Sequence, residues 1–210
     1  MPDLQARCRA IASSTWSDAL DQLGLRGVID GLTLRSGTGR IAGPALTVKE
    51  TCGKYPVEAF GIADVLDAIT PGSILVIDLA GEPISTFGGL AAQAAVQKKA
   101  AGVIVDGACR DVSEIQESGL WLASRHATPL SGKGRIKTEA INVPVTIRGI
   151  PIRPGDCIAG DETGIVCIPA GRLTEALAIA EELTARDSQF SDALRGGDSF
   201  RAAASRLRHL

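Results

Sequence analysis

Residues 87–119 constrain this chain more than any other stretch. Gly102-Val-Ile-Val105 is a short apolar run without polar alternation, the pattern of a strand buried on both faces of a sheet. Ahead of it, Gly88-Gly89 opens an Ala-rich helix over 88–101, whose small side chains let it pack close to such a sheet. Behind it, Asp106-Gly107 predicts a turn closing the strand, and Asp111–Ser118 predicts a short helix ended by Gly119. A buried strand between two helices demands an α/β architecture. It also puts Arg110 and Asp111 at the strand's C-terminal side, where open α/β sheets bind ligands. Gly88, Gly89, Leu90 and Ala91 bring the backbone N–H groups of a helix start to the same region. Helix starts beside a fixed cation and a carboxylate form a candidate site for a small anion and a metal. Asp111 also begins an Asp-x-x-Glu pattern with Glu114, the signature of a capping box, so its local sequence leaves open whether it is a ligand or an N-cap.

The remaining elements follow from periodicity and turn chemistry. Residues 1–24 read as helix in two pieces, with Ser14 or Thr15 capping the second and Gly24 ending it. Asp18 and Asp21 share a face there, as ligands or as a solvated acidic surface. Arg40–Lys49 reads as a strand with a bulge at Gly43-Pro44, and Tyr55–Ile69 as one amphipathic helix. Thr70–Gly81 and Arg153–Gly164 each carry Pro-Gly, a short strand and an acidic turn, so one supersecondary unit is used twice; Asp78 and Asp161 read as Asx-type turn caps or as ligands. Leu120–Ser124 is another strand, Thr128–Thr138 a basic loop or extended arm, Val143–Ile152 a hairpin turning at Gly149, and Gly164–Ile168 a buried strand. The pattern from Gly171 onward is helical, broken at Gly196-Gly197. No linker divides residues 1–210, which predicts a single α/β domain with a mixed sheet flanked by helices and C-terminal helices from about 171.

Composition narrows the function classes. The 210 residues are 45% hydrophobic, enough for one substantial core. The 22 basic and 24 acidic residues are interspersed, which argues against direct nucleic-acid binding. The start lacks the apolar stretch of a signal peptide and no apolar run reaches the length of a membrane span, so a soluble, cytoplasmic protein is expected. Five scattered cysteines, none in a Cys-x-x-Cys spacing, argue against a disulfide framework or a zinc site. With His126 and His209 the only histidines, any metal falls to carboxylates and water, which favours Mg²⁺ or Mn²⁺. No glycine-rich fingerprint for a nucleotide or methyl donor is present.

These motifs together resemble the RraA-like superfamily, which joins regulators of ribonuclease E activity to the class II 4-hydroxy-4-methyl-2-oxoglutarate aldolases. The resemblance runs through Thr15–Asp21, Gly39–Val48, Pro71–Asp78, Gly102–Asp111 and Arg153–Val166. It implies a fold of the swivelling β/β/α type, assembled as trimers or hexamers with sites between subunits. It implies Asp111 as the metal ligand and Arg110 as the residue that binds a 2-keto acid and stabilises enolate charge. It implies Gly88, Gly89, Leu90 and Ala91 as the cradle of the substrate carboxylate. The expected activity is a metal-dependent carbon–carbon lyase releasing pyruvate, as an aldolase or an oxaloacetate decarboxylase. A lyase or isomerase on a different oxyacid, and a non-catalytic regulator of a ribonuclease or another protein, are the alternatives. One departure stands out. The aldolases carry a further carboxylate ahead of the Arg that orders the metal's water shell, and the matching position here is Gly89. Glu114, Asp106, or Asp161 and Glu162 of a neighbouring subunit are the carboxylates available to replace it. The basic loop after Arg125 also departs from the aldolases, as a contact for a more acidic substrate or as a solvated segment.

Overall fold

The computed structural model describes residues 3–207. Helices α1 (Leu4–Ala10) and α2 (Ser13–Gln22) lead into strands β1 (Val28–Ile29), β2 (Thr33–Ser36) and the long β3 (Ile41–Cys52). Helix α3 (Ile62–Asp67), β4 (Ile74–Asp78), β5 (Ser85–Phe87), α4 (Gly89–Gln97), β6 (Gly102–Cys109), α5 (Val112–Ser118) and β7 (Leu122–Ala127) follow. The chain continues through β8 (Ile136–Ile141), β9 (Val145–Ile147), β10 (Ile150–Ile152), β11 (Cys157–Gly160) and β12 (Ile165–Ile168) to α6 (Leu173–Arg195) and α7 (Phe200–Leu207).

The sheet is mixed, in the order β1-β12-β11-β3-β4-β6-β7-β2, with β5 added beside β6 and β8 beside β3. Its centre, β3-β4-β6-β7, is parallel, and the flanks are antiparallel. Strand β6 is buried along its whole length, as its apolar run requires. Alternate residues of β4 and β6 feed two cores. Ile74, Val76 and Ile104 pack under the β9–β10 hairpin. Leu75, Ile77, Val103 and Val105 pack with Phe87, Ala92 and Ala95, so α4 lies against the sheet through alanines. A third core joins α1, α2 and α6 around Trp16.

Several local expectations are corrected. Neither Ser14 nor Thr15 caps α2, whose N-cap is Ala12; Ser13 instead sends its amide and hydroxyl to Asp161, at 2.8 and 2.6 Å. Residues 55–69 are not one helix. A 3-10 turn over Val57–Phe60 ends at Gly61, which is left-handed (φ 59°), and the Phe60 carbonyl accepts from Thr138 Oγ1 at 2.7 Å. At Gly43-Pro44 there is no bulge: β3 keeps register there and changes partner, from β11 to β4, while its irregularity falls at Lys49/Glu50 against β8. Asp106-Gly107 does not close β6. The strand runs on to Cys109, shifts register against β7 and gains β5 as a neighbour. The arm expected at 128–138 is a loop as far as 135, then β8. Asp78 and Asp161 accept the amides of Ala80 and Thr163 two residues on, as Asx-type turns do. Asp18 and Asp21 are exposed. His209 lies outside the described residues.

A row of charges crosses the sheet near its C-terminal end. Lys49, Asp78 and Asp106 stand in register on β3, β4 and β6. Lys49 pairs with Asp78 at 2.8 Å, and Arg125 of β7 pairs with Asp106 at 3.0 Å. Asp78 and Asp106 thereby each have a cation of their own.

Asp161 ties the N-terminal helices to the sheet. Burial would raise its pKa, but bonds from the Ser13 hydroxyl and amide and from the Thr163 and Gly164 amides together hold it below the usual value. A depressed carboxylate stabilises the fold above its unfolded pKa and loses that contribution as pH falls through the folded one. Asp161→Ala is therefore expected to cost about 2–3 kcal/mol in urea denaturation at pH 7, with the deficit shrinking below about pH 4.

Candidate functional site

A cleft of about 540 Å³ opens between the start of α4, the end of β6 and the 128–135 loop. Gly88, Gly89, Leu90, Ala91, Arg110 and Asp111 all line it, so the residues singled out from the sequence meet in one place. The main chain brings them together: Arg110 N donates to Phe87 O at 2.9 Å, and Phe87 is fully buried beneath.

The N-cap of α4 is Gly88, which has no side chain to cap it. Its first-turn amides therefore face the cleft as donors without helical partners. One of them, Gly89 N, points at Asp111 Oδ2 at 3.3 Å. Asp111 holds the N-cap position of α5 yet makes no capping bond. Its backbone is left-handed (φ 54°), a conformation Asp tolerates better than most residues at some cost in strain. The carboxylate is turned away from its own helix toward Gly89 and toward Arg110 Nε at 3.5 Å. The capping-box reading is thus not realised at either end, because Glu114 also leaves the helix start. A Cβ built on Gly89 would lie 2.0 Å from Glu114 Oε2, and one on Gly88 would lie 2.8 Å from Asp111 Oδ2. The two glycines exist to let two carboxylates overhang the backbone. The space left by Gly89 is filled by Glu114.

The ion pair between Arg110 and Asp111 is half-exposed, with side-chain exposures of 40% and 36%. Such pairs hold little energy, so the guanidinium is free to take a ligand carboxylate or oxyanion in its planar fork. Of the basic loop, Lys133 lines the cleft, whereas Arg135 donates to Ser131 O and Lys137 pairs with Glu139. Among the described residues no group of three His, Cys, Asp or Glu side chains forms a complete metal cage.

A family model described as Aldolase/RraA matches residues 13–167. The chain belongs to the RraA-like family. Among RraA-like and related proteins, it is 29% identical to protein DlpA of Legionella pneumophila over 97% of its own length, but spans only a third of that protein's length (33%). It is 33% identical to the 4-hydroxy-4-methyl-2-oxoglutarate aldolase of Thermus thermophilus, over 51% of this chain and 66% of that one. The crystal structure of Streptomyces coelicolor RraAS2, described as an unusual member of the RNase ES inhibitor RraA family, superposes with a TM-score of 0.79 at 25% identity, covering 93% of this chain and 96% of that one. The RraA-like match thus spans proteins named as aldolases and proteins named as inhibitors. Among the described residues no helix is long and apolar enough to cross a membrane.

One residue escaped the sequence reading. Glu50 of β3 is 1% exposed and neither of its carboxyl oxygens has a hydrogen-bond partner. Burial pushes its pKa up to about 8, against the opposing effect of the Thr86 and Thr138 hydroxyls. Thr86 lines the cleft. The signal in the sequence was an acid standing in the alternating series Leu46, Val48, Glu50, on the same face of the strand as the two apolar residues.

The crowding at Gly89 gives a direct test. Gly89→Ala drives a Cβ into the Glu114 side chain, including its Cβ at 2.7 Å, so α5 must shift. A loss of about 1–3 kcal/mol is expected in chemical denaturation.

Proposed function

We propose that the cleft binds a small 2-keto acid and breaks a carbon–carbon bond beside the keto group, releasing pyruvate. The observation that carries this reading is the convergence of Arg110, Asp111, Glu114 and the glycine-opened start of α4 on one cleft. The aldolase name of a relative supports it. Decarboxylation of oxaloacetate passes through the same enolate, so one site serves both reactions.

The donor set fits a divalent cation of the Mg²⁺ or Mn²⁺ kind. Asp111 and Glu114 offer two carboxylates over the glycine backbone, and such ions keep several waters with one or two carboxylates. When bound, the ion supplies Lewis-acid polarisation of the keto oxygen. This chain's own residues do the rest. The amides of Gly89, Leu90 and Ala91 receive the substrate carboxylate at the helix start. Arg110 sits where enolate charge develops and stabilises it with its planar fork. Lys133 provides a contact for a second carboxylate on the far side of the cleft. Leu90, 80% exposed at the mouth, is the apolar surface on which a second copy would complete the site in a trimer or hexamer. A regulator that acts by binding another protein is the second reading, favoured by the likeness to RraAS2.

Pyruvate release from oxaloacetate with Mn²⁺ separates the two. Chelation is expected to abolish it and added metal to restore it. Asp111→Asn, whose side chain still tolerates the left-handed backbone, is expected to lower it by about 100-fold or more. Turnover that survives both treatments, or no turnover at all, sinks the lyase reading. Lys133→Met is expected to raise KM for oxaloacetate by about tenfold with kcat little changed, the pattern of lost uniform binding.

A further inference from the structure

Glu50 is a carboxyl group buried behind Thr86 of the cleft wall, with the Thr86 and Thr138 hydroxyls beside it and no hydrogen bond completed to either oxygen. Buried polar groups are almost always satisfied, and an unsatisfied one calls for an explanation, a catalytic role among them. Both of its oxygens lack partners, and so does Thr86 Oγ1. These two groups face each other, with the Thr138 hydroxyl beside them. Thr138 is already committed, donating to Phe60 O at 2.7 Å. Thr86 is the one of the two hydroxyl residues that lines the cleft, and it directly precedes Phe87-Gly88-Gly89. Glu50 thus lies against Thr86, whose Oγ1 is itself buried, and Thr86 in turn lies against the cleft.

We propose that Glu50 is the proton source for the cleft, delivering its proton through the Thr86 hydroxyl to the carbon of the enolate left by bond cleavage. The inference rests on the lyase reading and adds the acid which that reading lacks. The step balances. Cleavage leaves the electron pair of the broken C–C bond in the enolate. The Thr86 O–H proton passes to the enolate carbon, which becomes the pyruvate methyl. The Glu50 O–H proton replaces it on the Thr86 oxygen, and the resulting carboxylate regains a proton from water before the next turnover.

The surroundings suit a carboxylic acid that stays protonated at neutral pH. Burial is the largest cause of its raised pKa, and no charged side chain is among the causes. The charged groups nearest along the packed strands are neutralised by others: Lys49 on β3 pairs with Asp78, and Lys137 pairs with Glu139 on β8. The Cys52 thiol, two residues along β3, is raised by burial and then by Glu82 and Glu50, so it is protonated and uncharged alongside. Glu50 touches no substrate in this scheme; it acts through Thr86 as a positioning residue for the proton.

The test uses the full chain with Mn²⁺, following oxaloacetate decarboxylation against pH and exchange of the pyruvate methyl protons in D₂O by NMR. The wild-type rate is expected to fall as pH rises through about 8, where Glu50 loses its proton. Glu50→Gln is expected to slow exchange by about 100-fold or more and to remove that limb, the size of a lost general acid. Pyruvate affinity by calorimetry is expected to stay within about twofold, since binding groups are untouched. Thr86→Val is expected to reproduce the loss and Thr86→Ser to retain activity, which decides the matter if Glu50→Gln does not fold. An active wild type with the limb and the exchange rate unchanged in Glu50→Gln overturns the role of Glu50 and leaves the lyase reading standing. A folded pair of Thr86 variants with equal activity does the same for the relay. A wild type that neither decarboxylates nor exchanges overturns the lyase reading, and this inference with it.

Discussion

One main-chain hydrogen bond, Arg110 N–H to Phe87 O at 2.9 Å, joins the two halves of the cleft. It forms only because β6 runs past Asp106 to Cys109 and takes β5 as a neighbour. Phe87, buried below, fixes where α4 begins; β6 fixes where Arg110 and Asp111 emerge. Helix start and Arg-Asp pair are therefore set by one piece of sheet rather than by two independent loops. Sites built on rigid elements hold their geometry better than sites on loops, and the left-handed Asp111 lies two residues past the end of β6.

The same extension of β6 explains the charges in the sheet. Past Val105 the strand shifts register against β7, and the Asp106 carbonyl accepts the amides of Leu79 and Gly81 at 3.2 and 2.8 Å. The carboxylate of Asp106, raised in pKa chiefly by burial, is left beside Asp78 and needs a cation of its own. Arg125 supplies it by passing across Gly81, where an added Cβ would sit 1.3 Å from its guanidinium. Paired in this way, Asp78 and Asp106 are committed within the sheet, apart from the half-exposed Arg110–Asp111 pair of the cleft.

The sequence made the periodic elements and the site neighbourhood readable, because these depend on local pattern. The all-apolar run at 102–105, the Gly-Gly helix start and the Arg-Asp pair sit where pattern and turn chemistry put them. What failed were features decided by distant residues. Asp106-Gly107 has the composition of a turn, but β5, formed by residues twenty positions earlier, offers it a ladder to join. Neither Ser14 nor Thr15 caps α2, because the helix starts earlier, at Ser13, which is held by Asp161, 148 residues away. Gly61 interrupts an amphipathic pattern because a Cβ there would lie 2.9 Å from Thr138 of a strand not visible in local sequence. Glu50 was missed for a related reason: an acid in a strand reads as a solvent-facing residue until β8 and β5 are seen to close over it.

Gly89 shows how a single position can be misjudged when it is read as a deficit. By resemblance it marks a missing carboxylate; in the fold it marks the seat of another. Glu114 occupies the volume a side chain at 89 would need, so the two positions are exclusive: a carboxylate can come from one or the other but not both. Glu114 stands in the first turn of α5, three residues after Asp111 at the N-cap of that helix. A carboxylate relocated within the cleft keeps its charge and changes its angle of approach. Because proteins of one fold differ in function through such placements and not through the fold itself, the position of Glu114, rather than the family membership, is what distinguishes this cleft from one with an acid at 89.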